Sequence, residues 1–246
     1  MKKELGTFFE LGSCEVIECI ARSGMDYVII DTEHGPFSVE RTAVFIRSAE
    51  AAGIVPYVRI GGHSRDHVMR MLDVGARALI VPNVETPEQV RGLVKYAKFA
   101  PVGERGYCPT RTSAWGADEW AADPVLYMEE CNRRVKLYPQ CETKSAYEHI
   151  EEIVSIEGVD GIFIGPCDLS IGLGVPLQME SPLLNEAIDR IRDVCGKAGK
   201  HCMIFAGSPE KARELYARGF QDITLGLDAM FFSSAMKQAA ENCRRD

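Results

Sequence analysis

The 246-residue chain has no apolar run of membrane-spanning length, and Glu4, Glu10, Glu15 and Glu18 interrupt the stretch where the apolar core of a signal peptide would lie. No membrane partner and a cytoplasmic location are therefore expected. Nine cysteines are present, but they form no C-x-x-C pair and no histidine-spaced zinc pattern, and their odd number fits free thiols in a reducing compartment. Positive charge is in deficit. The 28 basic residues face 36 acidic ones, and the net charge of −8 repels phosphate backbones, so nucleic acid is not an expected partner. Linkers and low-complexity segments are also missing, and a length of roughly 200–250 residues is ordinary for an α/β barrel. One domain over residues 1–246 is the expectation.

What is present is an alternation of short β-branched or aromatic runs with longer polar–apolar segments, the pattern of βα units around a parallel sheet. Eight strands are expected, at about 5–10, 27–31, 55–60, 77–82, 135–142, 161–165, 201–206 and 222–226. Their nearly continuous apolar character suits strands covered by helices outside and packed by side chains within. A glycine precedes six of them (Gly24, Gly53, Gly75, Gly158, Gly199 and Gly219), each where a helix should stop. Eight parallel strands predict an α/β fold closed as a (β/α)8 TIM barrel. A single long connection, about 99–134, carries Glu104, Arg105, Tyr107, Arg111, Trp115 and Trp120, a set suited to seating a substrate tail or to packing against another subunit.

In such barrels the chemistry lies at the carboxyl ends of the strands, and polar residues collect there. Strand two runs into Asp31-Thr32-Glu33-His34, strand three ends on Arg59, strand five on Gln140 and Glu142, and strand six on Gly165-Pro166-Cys167-Asp168. Glu142 and Asp168 lie one βα unit apart, so their carboxylates should share a rim. Close together they repel, unless a divalent ion such as Mg²⁺ or Mn²⁺ neutralises both and keeps positions open for substrate. Two separate solvated carboxylates, or a helix cap at Asp168, are the simpler alternative. His34 beside Asp31 suits general-base work, though a loop histidine is more often a surface residue. The fork of Arg59 suits a carboxylate or enolate oxygen, or an ion pair with Asp31 or Glu33.

The chain resembles the HpcH/HpaI aldolase family of class II pyruvate aldolases. The resemblance runs through MDYVIIDTEHGPFS (25–38), PYVRI (56–60), LDVGARALIVPNVETPEQ (72–89), PVGERG (101–106), QCET (140–143) and GVDGIFIGPCDLSIGLG (158–174), covering most of the chain from about 5 to 235. It implies a phosphoenolpyruvate/pyruvate-type barrel whose last helix swaps between partners in a homo-oligomer, a hexamer built as a trimer of dimers. Carried over by position, it makes Glu142 and Asp168 ligands of a divalent metal (Mg²⁺, Mn²⁺ or Co²⁺), Arg59 the group on the ketone or enolate oxygen, and His34 a base paired with Asp31. Gln140 would line the pocket, and the backbone from Gly165 through Cys167 to Asp168 would receive the pyruvyl carboxylate. The implied reaction is reversible cleavage of a 4-hydroxy-2-oxo acid to pyruvate and an aldehyde.

Several features depart from the family pattern. Cys167 replaces a common small residue and would make the site sensitive to oxidation. Pro139 removes a backbone donor inside strand five, so a bulge there would shift Glu142. Leu5 to Glu10 lacks the usual apolar finish of strand one, and His63 and His67 are added near the mouth, with surface helix positions as their simplest role. A Schiff-base route would need a desolvated lysine inside the barrel, for which Lys136 and Lys144 are poorly placed. Other readings are an acyl-CoA lyase of the malyl-CoA or citramalyl-CoA type, which predicts a basic nucleotide patch not found here, and a catalytically silent binding barrel.

Overall fold

A computed structural model describes residues 3–245. Met1, Lys2 and Asp246, the outermost residues of the expected domain, lie outside the described residues. The strands β1 (Glu4–Phe9), β2 (Tyr27–Asp31), β3 (Val55–Arg59), β4 (Ala78–Val81), β5 (Lys136–Cys141), β6 (Gly161–Ile164), β7 (His201–Ala206) and β8 (Asp222–Leu227) close into a barrel in sequence order. Every pairing, including β1 with β8, is parallel. Each expected strand is present, with its ends within one residue of the boundaries read from sequence.

Helices cover the barrel as α1 (Cys14–Arg22), α2 (Val39–Ala52), α3 (Arg65–Asp73), α4 (Pro87–Ala97), α5 (Pro124–Arg134), α6 (Lys144–Glu148), α7 (Ile150–Ser155), α8 (Pro166–Gly172), α9 (Pro182–Lys197), α10 (Pro209–Ala217) and α11 (Asp228–Cys243). Local chemistry sets their starts. Ser38, Ser64, Thr86 and Ser208 each accept a backbone amide three residues on, Asp123 accepts from Val125, and α4, α5, α9 and α10 place proline in the first turn. The six glycines before strands all have positive φ, from 66° to 112°, which only glycine adopts without a Cβ clash.

Alternation sorts the strand residues. Val28, Ile30, Val58, Leu79, Leu137, Ile162, Ile164 and Ile204 pack outward in the main core, while Phe8, Tyr27, Ile29, Ile80, Tyr138, Phe163 and Met203 fill the barrel. Tyr27 stacks on Tyr57 at 4.9 Å and shares a 2.9 Å hydrogen bond with Thr224. Gly6 is what admits Tyr27, because a Cβ there would meet its ring at 2.2 Å. The interior below the mouth is therefore packed, and any ligand must bind above it.

Pro139 sits inside β5, and the ladder to β6 is irregular across it. The amide of Asp160 donates to Leu137 and that of Gly165 to Cys141, so a four-residue step on β5 faces a five-residue step on β6. Toward β4 the register is constant from Lys136 to Pro139. The extra residue thus falls on β6, and β5 keeps the alternation that turns Tyr138, Gln140 and Glu142 to the same side.

The long connection is not structureless. Two 3₁₀ turns (Arg111–Gly116 and Glu119–Ala121) and α5 hold an aromatic cluster in which Trp120 stacks on Tyr127 at 5.4 Å and Phe99 meets it edge-on. Arg105, Arg111, Trp115 and Trp120 line a cavity of about 370 Å³ with Gly75 and Arg77, at the amino end of β4. Within one protomer these residues lie at the end of the barrel opposite Glu142, so the expected substrate-seating role is not met there.

Lys98 ties this segment down. Its side chain is 3% exposed, and Nζ donates to Val135 O (2.6 Å), Asn132 O (3.2 Å) and Asp160 Oδ2 (3.0 Å). Burial pushes its pKa down and Asp160 opposes that. Lys98→Met leaves two carbonyls and part of a carboxylate without their donor, and should lower unfolding free energy by about 3 kcal/mol. The denaturant midpoint checks this, and an unchanged midpoint would show that the ammonium adds nothing net.

Candidate active site

The mouth is organised around two carboxylates that the fold buries. Asp31, the last residue of β2, is fully buried and lies opposite Arg59, the last residue of β3, in the register of those strands. Arg59 Nε donates to Asp31 Oδ1 at 2.9 Å and Nη2 to Oδ2 at 2.5 Å, a two-point fork. The amides of Glu33 (3.0 Å) and His34 (3.4 Å) also donate to Oδ1. Burial alone would raise the Asp31 pKa, but Arg59 and these amides hold it below the usual aspartate value. Arg59 packs over the Phe8 ring at 4.4 Å and reaches Glu33 Oε2 at 3.3 Å. These contacts use Nε and Nη2 and leave Nη1 for a ligand.

The expected pairing of His34 with Asp31 is not what forms. Asp31 is committed to Arg59, whereas the His34 side chain is 68% exposed and its Nε2 lies 3.9 Å from Glu33 Oε2. A fork with two donors on a buried carboxylate outcompetes an exposed imidazole. His34 stands at the solvent side of the mouth with Glu33 as its neighbour.

Glu142 is 4% exposed at the carboxyl end of β5. Its Oε1 accepts the Asn83 amide at 2.6 Å and its Oε2 accepts the Gln140 side-chain amide. Burial pushes its pKa up to about 7; the Asn83 bond opposes this, and the charges of Asp168 and Glu33 add to it. Gly165 permits the arrangement, since a Cβ there would fall 2.8 Å from Glu142 Oε2 and 2.9 Å from Gln140 Nε2. Asp168 is the third residue of α8, not its cap, and is close enough to raise both Glu142 and Glu33. Burial and Asp168 push the Cys167 thiol up, which opposes formation of the thiolate that oxidation uses.

Three contributors escaped the reading of the sequence as site residues. Glu33, mostly buried, has its carboxyl raised by burial despite Arg59 and His34. Glu10, just after β1, is raised by burial and by Asp31, and it is the residue that replaces the apolar finish of that strand. Asn83, at φ 52°, donates its backbone amide to Glu142 and its side chain to Glu33 Oε1 at 3.1 Å. A proline-asparagine pair directly after a barrel strand was the available signal for it.

The rim therefore gathers Glu33, Glu142 and Asp168 against one guanidinium that Asp31 already engages. Gln140 adds a buried Oε1 with no hydrogen-bond partner. A cation relieves both conditions, since it offsets carboxylate repulsion and can draw an oxygen lone pair. Among the described residues no three His, Cys, Asp or Glu side chains converge as a closed metal cage. Glu142 and Asp168 are the two carboxylates that could hold an ion between them and leave positions open.

Barrel and mouth together define a (β/α)8 barrel of the enzyme class, with buried carboxylates and a guanidinium gathered at the carboxyl ends of β2, β3, β5 and β6. The model of the HpcH/HpaI aldolase/citrate lyase family matches residues 4–235, and the chain belongs to that family. It is 32% identical over 241 residues to the 2-keto-3-deoxy-L-rhamnonate aldolase of Escherichia coli K12, covering 96% of this chain and 86% of that one. The crystal structure of an HpcH/HpaI aldolase from Desulfitobacterium hafniense DCB-2 superposes with a TM-score of 0.92 at 28% identity, over 100% of this chain and 94% of that chain. The citrate synthase SbnG superposes at 0.87 with 31% identity, over 99% and 94%. The chain is a carbon–carbon lyase of the class II aldolase type.

Proposed function

We propose that the protein cleaves a 4-hydroxy-2-oxo acid reversibly to pyruvate and an aldehyde through a pyruvate enolate, with Glu142 and Asp168 holding a divalent ion. The observation that carries this reading is the Glu142 carboxylate, buried beside Asp168 with its pKa pushed up to about 7, chiefly by burial and further by the charge of Asp168. The name of the E. coli relative, a 2-keto-3-deoxy acid aldolase, supports a 2-oxo acid substrate. When bound, Mg²⁺, Mn²⁺ or Co²⁺ supplies Lewis-acid charge where the enolate develops. Arg59, held rigid by Asp31, directs its remaining Nη1 donor to the same oxygen. Pro166 has no backbone N–H, so the N–H groups of Cys167 and Asp168, next to Gly165, receive the pyruvyl carboxylate. Gln140 orients Glu142 and lines the pocket. His34, at the solvent side, takes the C4 hydroxyl proton directly or through water as the C3–C4 bond breaks.

A lysine route is disfavoured by position. Lys98 and Lys136 both bind Asp160 at the amino end of the barrel, and Lys144 is an exposed partner of Glu148 at 3.8 Å. The proposed assembly is a homo-oligomer, a hexamer formed as a trimer of dimers through exchange of α11. In support, Asp228 is the one buried residue of that helix, while Met230, Phe231, Phe232 and Met236 are exposed. Among the described residues no helix is long and apolar enough to cross a membrane.

Pyruvate incubated with the protein in D₂O should lose its methyl proton NMR signal with Mg²⁺, Mn²⁺ or Co²⁺ and keep it in EDTA. Exchange that survives EDTA would point to a lysine. A folded protein that exchanges nothing with any metal would favour an acyl-CoA substrate or a non-catalytic barrel.

A further inference from the structure

Glu142 owes its position to an amide that it does not itself control. The donor is Asn83 N–H, on the turn after β4, and Asn83 holds a left-handed φ of 52° that an asparagine tolerates at some cost. Something must keep the Pro82–Asn83 peptide turned that way. On the β5 side the turn is stitched by Thr143 Oγ1 to Val84 O at 2.9 Å and by Ser145 Oγ to Glu85 O at 2.8 Å. On the β3 side the tie is His63, whose Nε2 lies 2.6 Å from Pro82 O. A carbonyl can only accept, so Nε2 carries the proton in this bond. His63 is half-buried and precedes α3, unlike His67, which is exposed on that helix and bonded to Ser64. The surface-helix role expected for both histidines holds only for His67.

Both bonds fall on one peptide unit. Its carbonyl accepts from His63 and its N–H donates to Glu142 Oε1, also at 2.6 Å. In a trans peptide the two groups point opposite ways, so the donor at one end and the carboxylate at the other align the same dipole and reinforce one another. We infer that His63 is a positioning residue for the ion-binding site, acting on Glu142 through the Pro82–Asn83 peptide. This rests on the function proposed above for Glu142. His63 touches no reacting atom; it fixes the orientation of a donor that fixes a ligand.

Two substitutions and two readouts test this. His63→Ala removes the donor, whereas His63→Gln can place a side-chain amide N–H near the position of Nε2. Hydrogen–deuterium exchange of the peptide containing Asn83, followed in EDTA, reports the turn without any metal. Calorimetric titration with Mn²⁺ reports the ligand. His63→Ala should speed exchange at Asn83 and weaken Mn²⁺ binding by about tenfold, and His63→Gln should return both to within about threefold of wild type. Wild-type values in both variants would overturn the inference, as would a glutamine variant as impaired as the alanine one. If the wild-type protein binds no Mn²⁺, the function proposed for Glu142 fails. Asn83 exchange then decides the positioning role alone, with unchanged exchange in His63→Ala overturning it.

Discussion

Glu142→Gln should abolish metal-dependent turnover, by about 10³-fold or more, and yet make the metal-free protein more stable at pH 8. The turnover loss follows from removing one of the two anionic donors proposed for the ion: about 4 kcal/mol of lost transition-state stabilisation corresponds to about 10³ in rate. The stability gain follows from the raised pKa. Between the ordinary glutamate value of 4.5 and the folded value of about 7, the native protein keeps a proton that the unfolded chain has lost. Stability therefore falls as pH rises through that window, by about 3 kcal/mol in full. Glutamine carries no charge to desolvate. It offers a single oxygen to the two donors from Asn83 and Gln140, so the net gain is smaller, about 1 kcal/mol, or a few degrees in Tm. Thermal melts in EDTA at pH 4 and pH 8 check this. The variant should exceed wild type only at the higher pH, and saturating Mn²⁺ should reverse the order because wild type alone gains by binding. A variant less stable at both pH values would mean that the Glu142 charge is already compensated.

Arg59→Lys should retain the ion and lose turnover by about 10²–10³-fold, the usual effect of removing a donor aimed at a developing oxyanion. An ammonium is a single point charge. It cannot span both oxygens of Asp31, as Arg59 does with its Nε–Nη2 edge, and still present a donor in the place proposed for Nη1. Asp31 is fully buried, so weakening its partner also costs about 2 kcal/mol or more of folding stability. Mn²⁺ titration separates the two roles, since the guanidinium of Arg59 is engaged by Asp31 and Glu33 and not by Glu142 or Asp168. Full activity in a destabilised Arg59→Lys protein would make Arg59 purely structural.

Much of this architecture was legible in local pattern. Eight apolar runs punctuated by helix-stopping glycines located the strands, because the left-handed position after a helix selects glycine whatever surrounds it. Strand alternation put Tyr138, Gln140 and Glu142 on one side of β5, and parallel topology put the ends of β2, β3, β5 and β6 at one rim. Family resemblance then attached a chemistry to those ends.

Pairings at that rim depended on three dimensions. Asp31 could have met either His34 or Arg59 as far as sequence spacing tells, and the β2–β3 register, which sets Asp31 opposite Arg59, chose the arginine. Glu10 and Asn83 joined the site only when barrel closure and the β4 turn carried them to Asp31 and Glu142. The aromatic segment around Trp120 was drawn to the opposite end by Lys98 and its partners, a contact spanning 62 residues to Asp160. Helix stops and strand faces are decided within a few residues by backbone sterics and side-chain period, so this chain declares them in its own order. Burial, charge pairing and the raised carboxyl of Glu142 arise from atoms brought together across the barrel, and only the closed fold could decide them.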